Sequence, residues 1–230
     1  TPGRTNDLIR RKKLIIGNID RLILDEADEM LSMGFKEDLE AIIQQTPKKK
    51  QILLFSATMT QKVVGVTKKY MKNSLEIAVS RVNRAADNVE HIFYVVKPRD
   101  RYEVVKRIAD MNPDIYGIVF CRTRRETKDI AIKLMNDHYN ADTIHGDLSQ
   151  SERDDVMRRF RKGQLQILVA TDVAARGLDV EDLTHVINYN LPDDDEIYIH
   201  RSGRTGRAGK KGVSIAIING RNMRKLKDIE

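Results

Sequence analysis

The sequence predicts an α/β protein whose sheets are mainly parallel. Short apolar runs recur at 22–24, 52–55, 117–121 and 166–170, each nearly continuous rather than alternating. Continuous runs of this length mark strands buried on both faces. Each run is followed by a stretch with helical spacing, and strands alternating with helices imply parallel crossovers. The chain of 230 residues, 40% hydrophobic and 33% charged, has a globular rather than a disordered balance.

In chain order, Thr1-Pro2-Gly3-Arg4 opens a short helix near 6–11. The strand at 22–24 runs straight into Asp25-Glu26-Ala27-Asp28, and a helix-like stretch follows from 30 to 43. The strand at 52–55 is followed by Ser56-Ala57-Thr58 and a helix at 61–71, and a strand at 76–79 closes the first region. Residues 80–88 are polar without an apolar period, the pattern of a linker. The expected domains are therefore 1–80 and 92–230, joined by 81–91. In the second, strands are expected at 91–96, 117–121, 141–144, 166–170, 184–189 and 213–218. Helices are expected at 100–111, 125–136 and 151–161.

Composition narrows the function. No run has the apolar length of a membrane span and no leader pattern occurs, so no membrane partner is expected. Cys121, the single cysteine, sits in an apolar run and reads as a small buried hydrophobe, which fits a reducing, cytoplasmic setting. A formal charge of +7 suggests a polyanionic partner. Tryptophan is absent and aromatics make up 5%, so phosphate contacts rather than base stacking should dominate. Lys48-Lys49-Lys50 reads as a solvated turn.

Five motifs carry chemistry. At the carboxyl edge of a strand, one carboxylate of Asp25-Glu26-Ala27-Asp28 can hold Mg²⁺ on a nucleotide while its neighbour orients a water. The competing reading is an acidic turn capping the next helix. Ser56 and Thr58 can bond to neighbouring carboxylates or cap the following helix. The segment from Ala170 to Asp179 crowds a hydroxyl, carboxylates, Arg176 and Gly177 at a strand end, where Gly177 lets a backbone approach a ligand; an ordinary loop is the alternative. In the segment from His200 to Gly209, arginines alternate with glycines, a pattern suited to bidentate phosphate binding. It is not a Walker A motif: Gly203 to Gly209 is one residue too long, and Lys210 precedes Lys211. Arg4 with the first helix N-terminus can hold a backbone phosphate, or the helix is simply capped.

In order and spacing these pieces resemble the DEAD-box RNA helicases over essentially the whole chain. Ile118-Val119-Phe120-Cys121-Arg122-Thr123 and Gln150-Ser151-Glu152-Arg153 complete the match. The resemblance implies two RecA-like domains, the first incomplete here, with ATP between them and single-stranded or short duplex RNA across both. It implies that Asp25 binds Mg²⁺, usually through water, and that Glu26 activates the attacking water. Asp28 and His200 would link the acidic motif to Ser56 and Thr58. Asp179 would touch the ribose, Gly177 would line the same region and the RNA path, and Arg204 and Arg207 would reach the γ-phosphate. Thr1, Arg4, Thr123, Thr171 and Gly177 would meet the RNA backbone. The family's P-loop is expected before Thr1, on a strand lying between those that end at Asp25 and Phe55. A fragment without it is expected to be inactive alone, and a monomer is expected. The rival readings are a non-catalytic RNA-binding clamp and a DNA helicase.

Overall fold

A computed structural model describes residues 1–78, 88–175, 180, 183–206, 209–223 and 225. The chain divides into two compact units, Thr1–Val82 and Asn83–Glu230.

The first unit contains α1 (Pro2–Arg10), β1 (Arg21–Leu24), α2 (Ala27–Ser32), α3 (Lys36–Gln45), β2 (Gln51–Leu54) and α4 (Gln61–Tyr70). Strands β1 and β2 pair directly and in parallel, with Leu22 opposite Ile52 and Leu24 opposite Leu54. The backbone N–H groups of Gln51 and Phe55 extend the ladder to Asp20 O at 2.9 Å and Leu24 O at 2.7 Å. This corrects the expectation that a further strand separates the two, because their facing edges already satisfy each other. Leu24 packs with Leu31, Leu39, Ile43, Val63 and Val66 from α2, α3 and α4, so one face is covered. On the other face Ile23 is 58% exposed. A two-stranded sheet is marginal by itself, and these helices supply its apolar support.

The helix expected over 30–43 is two helices, broken at Gly34 with φ +83°. That left-handed conformation is readily adopted by glycine and ends α2. No strand forms at 76–78, where Leu75 and Ile77 are largely exposed; Val79 and most of the expected linker lie outside the described residues. Residues 89–91 of that linker already belong to a strand.

The second unit contains β3 (Val89–Val95), α5 (Arg101–Met111), β4 (Gly117–Phe120), α6 (Arg124–Asn136), β5 (Ala141–Ile144), α7 (Gln150–Arg161) and β6 (Ile167–Ala170). It continues with α8 (Asp172–Ala175), β7 (His185–Asn188), α9 (Asp195–Ser202) and β8 (Gly212–Ile218). The sheet is six-stranded in the order β3-β8-β7-β4-β6-β5. Every pairing is parallel. Side chains alternate across it. Val119 and Cys121 face α5 and α6 with Val105, Ile108 and Leu134. Ile118 and Phe120 face α7 and α8 with Val156, Phe160 and Ala174. The strands β4 and β6 are buried throughout, as their continuous apolar runs require. Gly117 lets β4 and β7 approach closely: a Cβ there would lie 2.6 Å from the His185 carbonyl oxygen.

Candidate functional site

The acidic motif begins where β1 ends. Asp25 Oδ1 accepts the Glu26 N–H at 2.9 Å. Glu26 is left-handed, with φ 50° and ψ 48°, and its side chain caps nothing. A non-glycine residue in that region costs about 1–2 kcal/mol, so the surrounding bonds must hold it. They do: the Ala27 N–H donates to Phe55 O at 3.1 Å, pinning the turn to the end of β2. Asp28 and Glu29 occupy the first turn of α2, as the capping alternative has it, while Asp25 and Glu26 are both exposed at the sheet edge.

Asp28 is the lock behind them. It is 4% exposed and Thr58 is 3% exposed. Asp28 Oδ2 accepts both the Thr58 N–H and the Thr58 hydroxyl, each at 2.8 Å. Asp28 Oδ1 accepts the Glu29 N–H at 3.0 Å. In return the Asp28 N–H donates to Ser56 Oγ at 3.2 Å, and the Ser56 hydroxyl donates to Thr58 O at 2.7 Å. This settles the choice left open for Ser56 and Thr58. They serve the carboxylate, while Thr60 caps α4 by accepting the Val63 N–H at 3.3 Å.

Elsewhere in this unit, Thr1 precedes α1 without a side-chain cap bond, and Pro2 sits at the first helical position. Arg4 is exposed and pairs with Asp7 at 2.7 Å. Asn6 Nδ2 fixes α1 to α3 through Asp38 O at 3.1 Å and Asp38 Oδ1 at 2.9 Å.

In the second unit, Thr123 follows β4 and caps α6, accepting the Glu126 N–H at 3.2 Å. Beside it Arg124 pairs closely with Asp147, and Lys128 Nζ reaches the same carboxylate at 3.2 Å. Hydrogen bonding from Arg124, then from Lys128, holds the Asp147 carboxyl below its usual range. Burial pushes the nearby His145 imidazole down. Thr171 directly follows β6 and is 9% exposed; it precedes α8, where its Oγ1 accepts the Ala174 N–H at 3.4 Å.

The segment from His200, expected as a phosphate-binding motif, begins on a helix: His200 to Ser202 close α9. Asp194 caps α9 by accepting the Glu196 N–H at 2.9 Å, and Asp195 and Glu196 occupy the first turn. That acid-rich start was a readable helix signal. His200 lies on α9, and Arg204 sits in the turn beyond it, both half-buried. Thr205, 1% exposed, is bonded through its hydroxyl to Leu183 O. Gly177, Asp179 and Arg207 lie outside the described residues.

Four side chains to which the motifs assign no individual role organise this region. Arg201 is 3% exposed. Its guanidinium binds both carboxylate oxygens of Asp172 at 2.6 and 2.8 Å. It also donates to Asn188 Oδ1 at 3.0 Å and Asn190 O at 2.7 Å. Arg153 donates to Ala174 O at 2.6 Å. Among the described residues, no group of three or more His, Cys, Asp or Glu side chains is arranged to hold a metal by itself. No described helix is long and apolar enough to cross a membrane.

Two family models match the chain: DEAD/DEAH box helicase over residues 1–66, and helicase conserved C-terminal domain over 100–209. A DEAD-box ATP-dependent RNA helicase CshA of Bacillus cereus is 44% identical over all 230 residues, which span 44% of that protein. The CshA of Listeria monocytogenes is 43% identical over the same length, again 44% of that protein. The chain thus spans less than half the length of these curated relatives. Among solved structures, a DEAD box protein from Methanococcus jannaschii is 49% identical with a TM-score of 0.61, and the chain covers 62% of it. S. cerevisiae Dbp5 bound to RNA and ADP BeF3 is 34% identical with a TM-score of 0.89; all of this chain aligns with 61% of that one.

Proposed function

Because the chain belongs to the DEAD-box family of RNA helicases, we propose that the intact protein hydrolyses ATP in an RNA-stimulated manner and uses the cycle to open or remodel short RNA duplexes. The observation that carries this reading is the acidic turn: Asp28 is locked by Thr58 at 2.8 Å while Asp25 and Glu26 stay exposed at the sheet edge. A rigid anchor beside two exposed carboxylates is what water activation beside a nucleotide requires.

In this reading Glu26 orients and deprotonates the attacking water. Asp25 would hold Mg²⁺ through water, and the exposed carboxylate oxygens fit that hard cation, which keeps most of its own waters. When bound, Mg²⁺ supplies charge neutralisation on the β- and γ-phosphates. Arg204 and Arg207 stabilise the charge of the transferring phosphoryl group, Asp179 and Gly177 contact the nucleotide, and His200 works with Asp28, Ser56 and Thr58 in coupling. Thr1, Arg4, Thr123, Thr171 and Gly177 bind the RNA backbone. The first RecA-like domain is represented by about residues 1–80, and the second by β3 and the residues that follow it. The 230 residues contain no Walker A spacing, and by themselves we expect them to be inactive. We place the protein in the cytoplasm as a monomer.

The test is steady-state ATP turnover of the intact protein with Mg²⁺, with and without single-stranded RNA. The proposal expects marked stimulation by RNA and little by DNA. RNA binding without turnover would instead identify a clamp, and equal stimulation by DNA a DNA helicase.

A further inference from the structure

Arg201 belongs by sequence to the arginine–glycine run, yet its environment is that of an internal brace. Its guanidinium is 3% exposed and meets three separate elements. It grips Asp172 of α8 with a bidentate fork at 2.6 and 2.8 Å, and it bonds Asn188 and Asn190 at and beyond the end of β7. Its guanidinium carbon lies 4.9 Å from the centre of the Phe120 ring at the end of β4. Fork-to-carboxylate geometry fixes orientation as well as distance, which a lysine cannot reproduce.

The turn that Arg201 grips is held at its other end too. Arg153 of α7 donates to Ala174 O at 2.6 Å. The four-residue α8 is therefore clamped between two arginines directly after Thr171. Arg201 in turn stands next to His200 on α9, and the Arg204 N–H bonds to the Arg201 carbonyl at 3.0 Å. One side chain thus connects the turn that presents Thr171 with the helix that presents His200 and leads to Arg204.

We propose that Arg201 is a positioning residue that couples RNA-backbone contact at the Thr171 turn to the placement of the nucleotide-side groups on and after α9. This rests on the function proposed above. A nucleic-acid phosphate held at Thr171 settles α8, the Asp172–Arg201 fork transmits that setting to α9, and His200 and Arg204 are held in their working positions. Arg201 itself touches neither phosphate.

The test uses the intact protein and reads two quantities: the ratio of RNA-stimulated to RNA-free ATP turnover, and the half-saturating concentration of a labelled single-stranded oligouridylate. Arg201→Lys keeps the charge and loses the fork; Asp172→Asn, the second variant, weakens the other partner. Coupling free energies between sites run to 1–3 kcal/mol, so the ratio should fall about tenfold in each variant. Thr171→Val combined with Arg201→Lys should shift half-saturation by clearly less than the two single shifts predict together, because both act through one turn. A folded Arg201→Lys variant with the parent's stimulation ratio overturns the proposal, as does strict additivity with Thr171→Val. A parent protein without RNA stimulation overturns the proposed function as well, which separates the two failures.

Discussion

Replacing Thr58 by valine probes the lock behind the acidic turn. Valine keeps the branched shape, so little cavity forms, but it removes the hydroxyl that donates to Asp28 Oδ2 at 2.8 Å. Both partners are buried and the acceptor is a carboxylate. Hydrogen bonds to charged groups contribute about 1.5–3 kcal/mol, and a buried acceptor left short of donors adds a desolvation cost. Asp28 keeps the N–H groups of Thr58 and Glu29, so the lower half of that range, about 1.5–2 kcal/mol, is expected. In amide hydrogen exchange, this corresponds to roughly tenfold or greater loss of protection at Ala27 and Thr58, where opening of the turn exposes the amides. In urea unfolding, with a slope of about 2 kcal/mol per molar, the midpoint of the first unit should drop by nearly 1 M. Thr58→Ser restores the donor and should recover most of the loss. A change under about 0.5 kcal/mol in Thr58→Val, the range of ordinary surface substitutions, would refute the lock.

Three further outcomes follow from the second unit. Burial lowers the pKa of His91, His145 and His185. Their unfolded forms then bind protons first, so stability is full above about pH 6.5 and is lost as pH falls through the lowered folded values; a thermal midpoint that stays flat from pH 7.5 to 5 would contradict this. In Gly212→Ala the new Cβ would stand 2.2 Å from Thr205 Oγ1 and 2.5 Å from Gly206 N. The overpacking should cost about 1–3 kcal/mol and lower the thermal midpoint by about 5 °C, whereas an unchanged midpoint would show that the loop after Arg204 yields freely. Arg207→Ala in the intact protein should reduce ATP turnover on the order of a thousandfold at saturating ATP and RNA, with lysine rescuing poorly; a near-parental rate would leave Arg207 without a catalytic role.

Much of the second unit was legible because its central strands β4 and β6 are buried throughout. The runs at 117–121 and 141–144 sit within a residue of β4 and β5. The first unit was harder to read. Its strands are only partly covered, and the order of β1 beside β2 depends on long-range pairing that local periodicity does not carry. The break at Gly34 was visible as a glycine but not as a left-handed stop. At the site, motif spacing singled out Asp28, Ser56 and Thr58, and the fold brings those three together. Arg201 was hidden by its neighbours: a charged residue in a glycine-rich run reads as exposed, and only tertiary structure supplies the Asp172 carboxylate and the two asparagines that allow its burial. Asp194 to Glu196 carry a helix-start signal, but no helix was expected there, and the residues from His200 were read only as a phosphate-binding motif.

The central claim is that the acidic turn holds a base for ATP hydrolysis, and Glu26→Gln tests it most directly. The substitution keeps the size and left-handed setting of the side chain while removing its ability to accept the water proton. Measured in the intact protein at saturating Mg²⁺-ATP and single-stranded RNA, turnover should fall by two or more orders of magnitude, about the contribution of a general base. Nucleotide and RNA affinities, read separately by equilibrium binding, should stay near the parent's. Turnover close to the parent's, with binding intact, would contradict the account.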